Sequence, residues 1–219
     1  MKSVIAGVVF LSGAICLGQD PVKVASAQYK LIAENENIRV VEANLAPGAK
    51  TVMHSHPALM SVMLEAGAVK WTRPDGKSDQ SPPNLTRGAV VTLGAESHVS
   101  ENTGKTALRV ILVEFKKPAP PAGKAQKIPS LPNCKQVGDS PHATAQLCAG
   151  AAGSSIPRHT HGSHAVYVAL TDLSSEITAA DGKKRMLEMK RDTAAIAAPE
   201  THSVVNKGRG YELVVMDLK

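Results

Sequence analysis

A chain of 219 residues, 43% hydrophobic and 20% charged, can bury a sizeable core and is neither a disordered tract nor a membrane bundle. Its formal charge of +6 is not concentrated in any Lys/Arg run, and only 3% of its residues are aromatic. Nucleic-acid and polysaccharide binding are therefore disfavoured.

The chain opens with Lys2 and an uncharged, mostly apolar run from Ser3 to Gln19. A spanning helix needs ~20 apolar residues, so this run is better read as a signal peptide over residues 1–18. Cleavage after Gly18 is preferred to cleavage after Ala27, because Pro21 follows the apolar run directly. The mature protein is then expected to be exported, periplasmic or secreted, with no membrane attachment once the signal is removed.

Short β-branched runs follow, each bounded by turn residues. Ile38–Glu42, Met60–Leu64, Ala89–Leu93 and Leu108–Glu114 are expected strands of a first domain over 19–117. Residues 118–132 carry Pro118, Pro120, Pro121, Pro129 and Pro132 and cannot pair into a sheet; they are a Pro-rich linker. A second domain over 133–219 has expected strands at Ala165–Leu170, Ser175–Thr178, Ala194–Ala197 and Tyr211–Met216. Only Arg185 to Arg191 has any helical character. Asp75-Gly76 and Asp181-Gly182 are hairpin turns, one in each half. An all-β sandwich or barrel is expected for each domain.

With Cys16 lost in the signal, Cys134 and Cys148 remain, in a compartment where disulfides persist. The turn-rich stretch Gly138 to His142 lies midway between them, so a hairpin would place them opposite each other and pair them.

The two halves repeat. Gly48, then five residues, then His54-Ser-His56 answers Gly153, five residues, His159-Thr-His161, 105 residues on. Glu96-Ser-His98, Asn102 and Gly104 answer Glu200-Thr-His202, Asn206 and Gly208 with a shift of 104. Alternate residues of a strand point to one face with α-carbons ~6.6 Å apart, so a His-x-His pair can aim both imidazoles at one point. A third histidine from a neighbouring strand completes a triad. His54, His56 and His98 are candidate ligands of one divalent metal ion, and His159, His161 and His202 of a second. Glu96 and Glu200, two residues before the third histidine, could support it from outside. Lys50 and Arg158 read as solvated charges, Trp71 as packing, and Asn102 and Asn206 as partners of turn backbone.

These residues resemble the cupin family. Its first motif is matched by Gly48, His54, His56 and Gly67 and by Gly153, His159 and His161; its second by Gly88, His98 and Asn102 and by His202 and Asn206. Asp172 and Asp192 stand where the family has glycine. The resemblance implies two tandem jelly-roll barrels, a bicupin, with the metal in the mouth of each. Where the motif has a glutamate ligand, this chain has Met60 and Ala165. An ion held by three neutral imidazoles keeps its charge and should attract an anion. That loss argues against oxalate-type and germin-type activities. His164, one residue before Ala165, is turned away from the face of His161 by strand alternation.

The expected cofactor is a divalent ion (Fe(II), Mn, Ni or Zn), up to two per chain, and the expected partner is a small anionic organic molecule. The leading function is dioxygenase-like. The alternatives are a metal-dependent isomerase or lyase, and a binding protein without turnover. Homo-oligomerisation is left open.

Overall fold

The computed structural model describes residues 19–81, 85–121 and 128–219. The expected signal peptide and the centre of the linker lie outside the described residues. Among the described residues, no helix is long and apolar enough to cross a membrane.

The chain is built from strands, with one short helix, α1 (Pro21–Val24), capped by the Asp20 side chain on the Val22 amide. The first half contains β1 (Tyr29–Glu34), β2 (Ile38–Leu45), β3 (His54–His56), β4 (Leu59–Met63), β5 (Val69–Thr72), β6 (Ser78–Gln80), β7 (Val90–Leu93), β8 (Glu96–Asn102) and β9 (Leu108–Phe115). The second contains β10 (Cys134–Asp139), β11 (Ala143–Gly150), β12 (Ser155–His161), β13 (Ala165–Ala169), β14 (Leu173–Ala179), β15 (Lys184–Met189), β16 (Ala194–Ala197), β17 (Glu200–Asn206) and β18 (Tyr211–Leu218). Every expected strand is present. The stretch from Arg185 with helical character is instead β15, because its pairing with β14 across the Asp181-Gly182 turn overrides a weak periodicity. Gly182 supplies the positive φ of 83° which that turn requires.

Each half is a two-sheet barrel. Five strands in the order β1-β2-β9-β4-β7 face four in the order β3-β8-β5-β6, and the second half repeats this as β10-β11-β18-β13-β16 against β12-β17-β14-β15. Strand alternation gives each five-stranded sheet two apolar faces. Leu59, Met63, Leu108 and Leu112 point into the first barrel, and Ala169, Leu173, Leu213 and Val215 into the second. The opposite faces meet each other: Val40, Met60, Val62, Ile111 and Val113 pack with Ala145, Val166, Val168, Val214 and Met216 in one buried cluster. The two barrels therefore share a sheet-on-sheet core.

This packing explains one departure from the repeat. Asp192 occupies the place of Gly88 and keeps its left-handed backbone, with φ of 66° against 79°. Its carboxylate reaches into the other half, pairing with Arg87 and, at 2.8 Å, with Arg109. Gly88 itself must stay small, since a Cβ there would meet Leu170 of the second barrel at 2.9 Å.

Cys134 and Cys148 are partners across the β10–β11 hairpin and are joined by a disulfide. Cys148 sits in the apolar interior of the second barrel.

Candidate metal centres

Antiparallel pairing assembles each histidine cluster. His54 on β3 lies directly opposite His98 on β8, and His159 on β12 opposite His202 on β17. The second histidine of each His-x-His joins from two residues along the same strand face. The imidazole nitrogens of His54, His56 and His98 lie within 4.8 Å of one another, as do those of His159, His161 and His202. The structure thus brings together all six candidate ligands, three in each barrel.

In both clusters the Nδ1 atoms are held from outside. His54 Nδ1 donates to the Val52 carbonyl at 2.9 Å, His56 Nδ1 to Glu114 at 2.6 Å and His98 Nδ1 to Glu96 at 2.8 Å. In the second barrel the acceptors are the Pro157 carbonyl at 2.8 Å for His159, Asp217 for His161, and Glu200 at 3.0 Å for His202. Fixing the proton on Nδ1 leaves each Nε2 as a lone pair facing inward, the arrangement that orients metal-bound histidine. His159 and His161 set their Nε2 atoms 3.1 Å apart. Two lone pairs at that distance repel unless a cation lies between them.

Burial supports the neutral form. It pushes the His54 imidazole down to about 4, and lowers His98, where the nearby His56 adds to the effect. His159 and His202 are lowered by burial as well. No proton then competes for Nε2 near neutral pH. The carboxylates make the complementary argument. Glu114 and Asp217 are 0% and 3% exposed, and Glu114 Oε2 and Asp217 Oδ2 have no hydrogen-bond partner among the described residues. One buried carboxylate against each triad, Glu114 in the first and Asp217 in the second, with the half-buried Glu96 and Glu200 beside it, suits a central divalent cation; Glu114 Oε2 also faces Arg39 Nε at 3.5 Å.

Glu96 and Glu200, read from the sequence as possible outer supports, do orient His98 and His202. Glu114 and Asp217 escaped the sequence reading. Their signal was a carboxylate that follows an apolar run and stands one residue before the end of its strand, repeated 103 residues on in the matching strand. Tyr29 also escaped it. Its hydroxyl lies 3.1 Å from His54 Nε2, and the ring is 4% exposed. Nothing in the second half repeats it.

The expectation that Met60 stands where a fourth ligand would is corrected. Met60 is fully buried in the core between the barrels, where an added Cβ at Gly138 would meet its methyl at 2.8 Å. Alternation turns Leu59 and Ser61 inward instead. The β4–β9 and β13–β18 registers, with Leu59 opposite Glu114 and Ala165 opposite Asp217, make Ser61 and Tyr167 the equivalent inward residues.

His164 is directed away from the triad, onto the Asn37 side-chain amide at 3.2 Å. His142 stacks on Phe115 with ring centroids 4.6 Å apart. Asn102 donates to the carbonyls of Leu45 and Thr106, and Asn206 to those of Ala151 and Arg209, as expected for turn residues.

His56 and His98 in the first barrel, and all three histidines in the second, lie at the wall of an apolar cavity. The first, about 50 Å³, is bordered by Leu59, Ser61, Met63, Trp71 and Leu112; the second, about 40 Å³, by Cys148, Ile156, Tyr167, Leu173 and Leu213.

No protein-family model and no curated protein sequence matches the chain. Solved structures do. Oxalate decarboxylase from Bacillus subtilis matches with a TM-score of 0.62 at 15% identity, over 86% of this chain and 70% of that one. AerE from Microcystis aeruginosa matches with a TM-score of 0.60 at 17% identity, over 88% and 97%. A cupin 2 conserved barrel domain protein from Leptotrichia buccalis matches with a TM-score of 0.54 at 14% identity, over 87% and 88%.

Proposed function

For a chain with the bicupin fold and a three-histidine cluster in each barrel, we propose a metal-binding protein whose His54, His56 and His98 hold one divalent ion and whose His159, His161 and His202 hold another. Its proposed activity is dioxygenase-like, on a small anionic organic substrate. The observation that carries this reading is the set of inward Nε2 lone pairs, each fixed by an acceptor on Nδ1, with no protein carboxylate among the donors.

When bound, Fe(II), Mn, Ni or Zn supplies Lewis acidity, and the redox-active metals supply electron exchange with dioxygen. The chain supplies the rest. Glu114, Glu96, Asp217 and Glu200 keep the protons on Nδ1 and the rings in place. The apolar cavity walls exclude water and strengthen the attraction of an anion to the centre.

The test is metal content followed by dioxygen uptake with small enolates, thiolates and carboxylates. Uptake should vanish when His54 and His56, and His159 and His161, are all changed to Ala. Two ions retained by that variant would refute the ligand assignment. No uptake with any redox-active metal would refute the oxidative activity and favour metal or ligand holding without turnover. The small volume of the first cavity, about 50 Å³, favours that second reading for the first centre.

Export is proposed with it. The described fold supports a mature start at Gln19 over one after Ala27. The Gln19 carbonyl accepts from Ser55, Asp20 pairs with Arg39 at 3.0 Å, and Ala25 is buried. An intact mass retaining residues 1–18 on protein recovered from its own cell would overturn it.

A further inference from the structure

The repeat is close in the histidines and broken around them, and the breaks fall on the two features that decide whether a metal can accept an outside ligand. The first break is at β1. Tyr29 pairs with Ala43 on β2, and Cys134 pairs with Cys148 on β11. Ala43 lies opposite Val110, four residues before Glu114, and Cys148 lies opposite Leu213, four residues before Asp217. Tyr29 and Cys134 are therefore the same position. In the first barrel it brings a hydroxyl to 3.1 Å from His54 Nε2. In the second it is tied into a disulfide and brings no donor. Adjacent ligands of a six-coordinate ion with bonds of ~2.1 Å stand ~3.0 Å apart. The Tyr29 oxygen is thus already at the spacing of a neighbouring ligand to His54.

The second break is at the rim. Asp79 lies opposite Trp71 on β5, and Arg185 lies opposite Ile177 on β14. Trp71 and Ile177 correspond, because they pair with Ser100 and Val204, each two residues after the third histidine. The residue at this rim position therefore differs, Asp79 in the first barrel and Arg185 in the second, while each barrel keeps an arginine on the carboxylate before its third histidine, Arg73 at 3.5 Å from Glu96 and Arg185 at 2.7 Å from Glu200. Over the first, Asp79 is paired with Arg73, and the Trp71 ring lies 6.5 Å from His98. His54, His56 and His98 are all buried there. In the second, His159 is partly exposed. A cleft of about 450 Å³ lined by Tyr167, Arg185, Leu187, Ile196 and Glu200 reaches His202 of the triad. The Arg185 side chain is 54% exposed and salt-bridged to Glu200 at 2.7 Å.

We infer that the two centres are not equivalent: the first is closed to outside ligands by the Tyr29 hydroxyl, and the second is where a small organic anion binds, entering past Arg185. This rests on the metal-binding reading above. It assigns the ligand to the second barrel, with Tyr29 as the residue that withholds the first.

The test uses the whole mature chain loaded with Co(II) and titrated with azide, followed by the visible spectrum of the cobalt. Two cobalt ions per chain should bind, and azide should perturb the spectrum of one. Tyr29→Phe, which keeps the ring and removes the oxygen, should raise the azide stoichiometry from one to two. His159→Ala with His161→Ala should abolish it; if that variant does not fold, Asp217→Asn, which loosens only the second centre, should weaken azide binding while Glu114→Gln leaves it unchanged. Two azides on the parent, one on Tyr29→Phe, or azide affinity that follows Glu114 rather than Asp217 would overturn the inference. A chain that binds no cobalt at all would overturn the metal-binding reading instead.

Discussion

Met60→Glu separates the register drawn from the sequence motif, in which residue 60 faces the triad, from the register of the structure, in which it faces the other barrel. If residue 60 faced the triad, a carboxylate there would become a fourth donor, and metal retention would tighten with little loss of stability. The structure places it in the fully buried core between the barrels, among Val62, Ile111, Val113, Val166 and Met216. A glutamate buried there must give up its charge at pH 7, which costs about 4 kcal/mol from an ordinary carboxyl pKa of ~4.3. An unpartnered buried carboxyl adds about 1–3 kcal/mol, and loss of the methionine packing about 2 kcal/mol. The expected loss is about 7–9 kcal/mol, comparable with the whole stability of many domains. The protonation part falls to about 1 kcal/mol at pH 5, so the difference from parent should shrink by about 3 kcal/mol between pH 7 and pH 5. Met60→Gln carries the packing and polar costs without the protonation, and its loss should be the same at both pH values. Urea midpoints of parent, Glu and Gln proteins at the two pH values measure this. A Met60→Glu protein as stable as its parent and tighter for metal would refute the sheet-on-sheet core.

Glu114→Gln and Asp217→Asn should each weaken metal binding ~10–100-fold at their own centre, read by competition with a chelator; an unchanged affinity would show that these carboxylates do not set the histidine donors. Asp192→Ala should cost about 1–3 kcal/mol, because it removes the anion shared by Arg87 and Arg109 and leaves a positive φ on a residue that resists it, whereas Asp192→Gly should cost less. Burial raises the Asp192 carboxyl, but Arg87 and Arg109 outweigh it and hold the group below its usual value. Its contribution is therefore present above pH ~4 and lost as pH falls below that, so the Asp192→Ala and parent unfolding midpoints should converge in acid. In metal-free protein, His54 titrates at about 4 when folded against 6.5 when unfolded, so the unfolded chain binds the extra proton between those values. Stability should be flat above pH ~6.5 and decline by up to about 3 kcal/mol as pH drops towards 4; a midpoint that rises on acidification over that window would contradict the burial of this ring.

The histidines, their spacing and their duplication were legible in the sequence because a His-x-His on a strand is a local geometric statement: alternation alone puts both rings on one face. The Cys134–Cys148 hairpin and the Asp-Gly turns were legible for the same reason, since pairing across a short turn depends on few residues. What sequence could not supply was the far side of each contact. Glu114 and Asp217 lie 58 and 56 residues from the histidines they hold, and only the barrel brings them together. The inward face of β4 depends on where the loop after His56 lets the strand resume, and a one-residue difference exchanges Met60 for Ser61. Tyr29 reaches His54 only through the β1–β2 pairing, and Asp192 finds its arginines only because the two barrels share a core. Local periodicity determined which residues share a strand face; tertiary packing decided what each face meets.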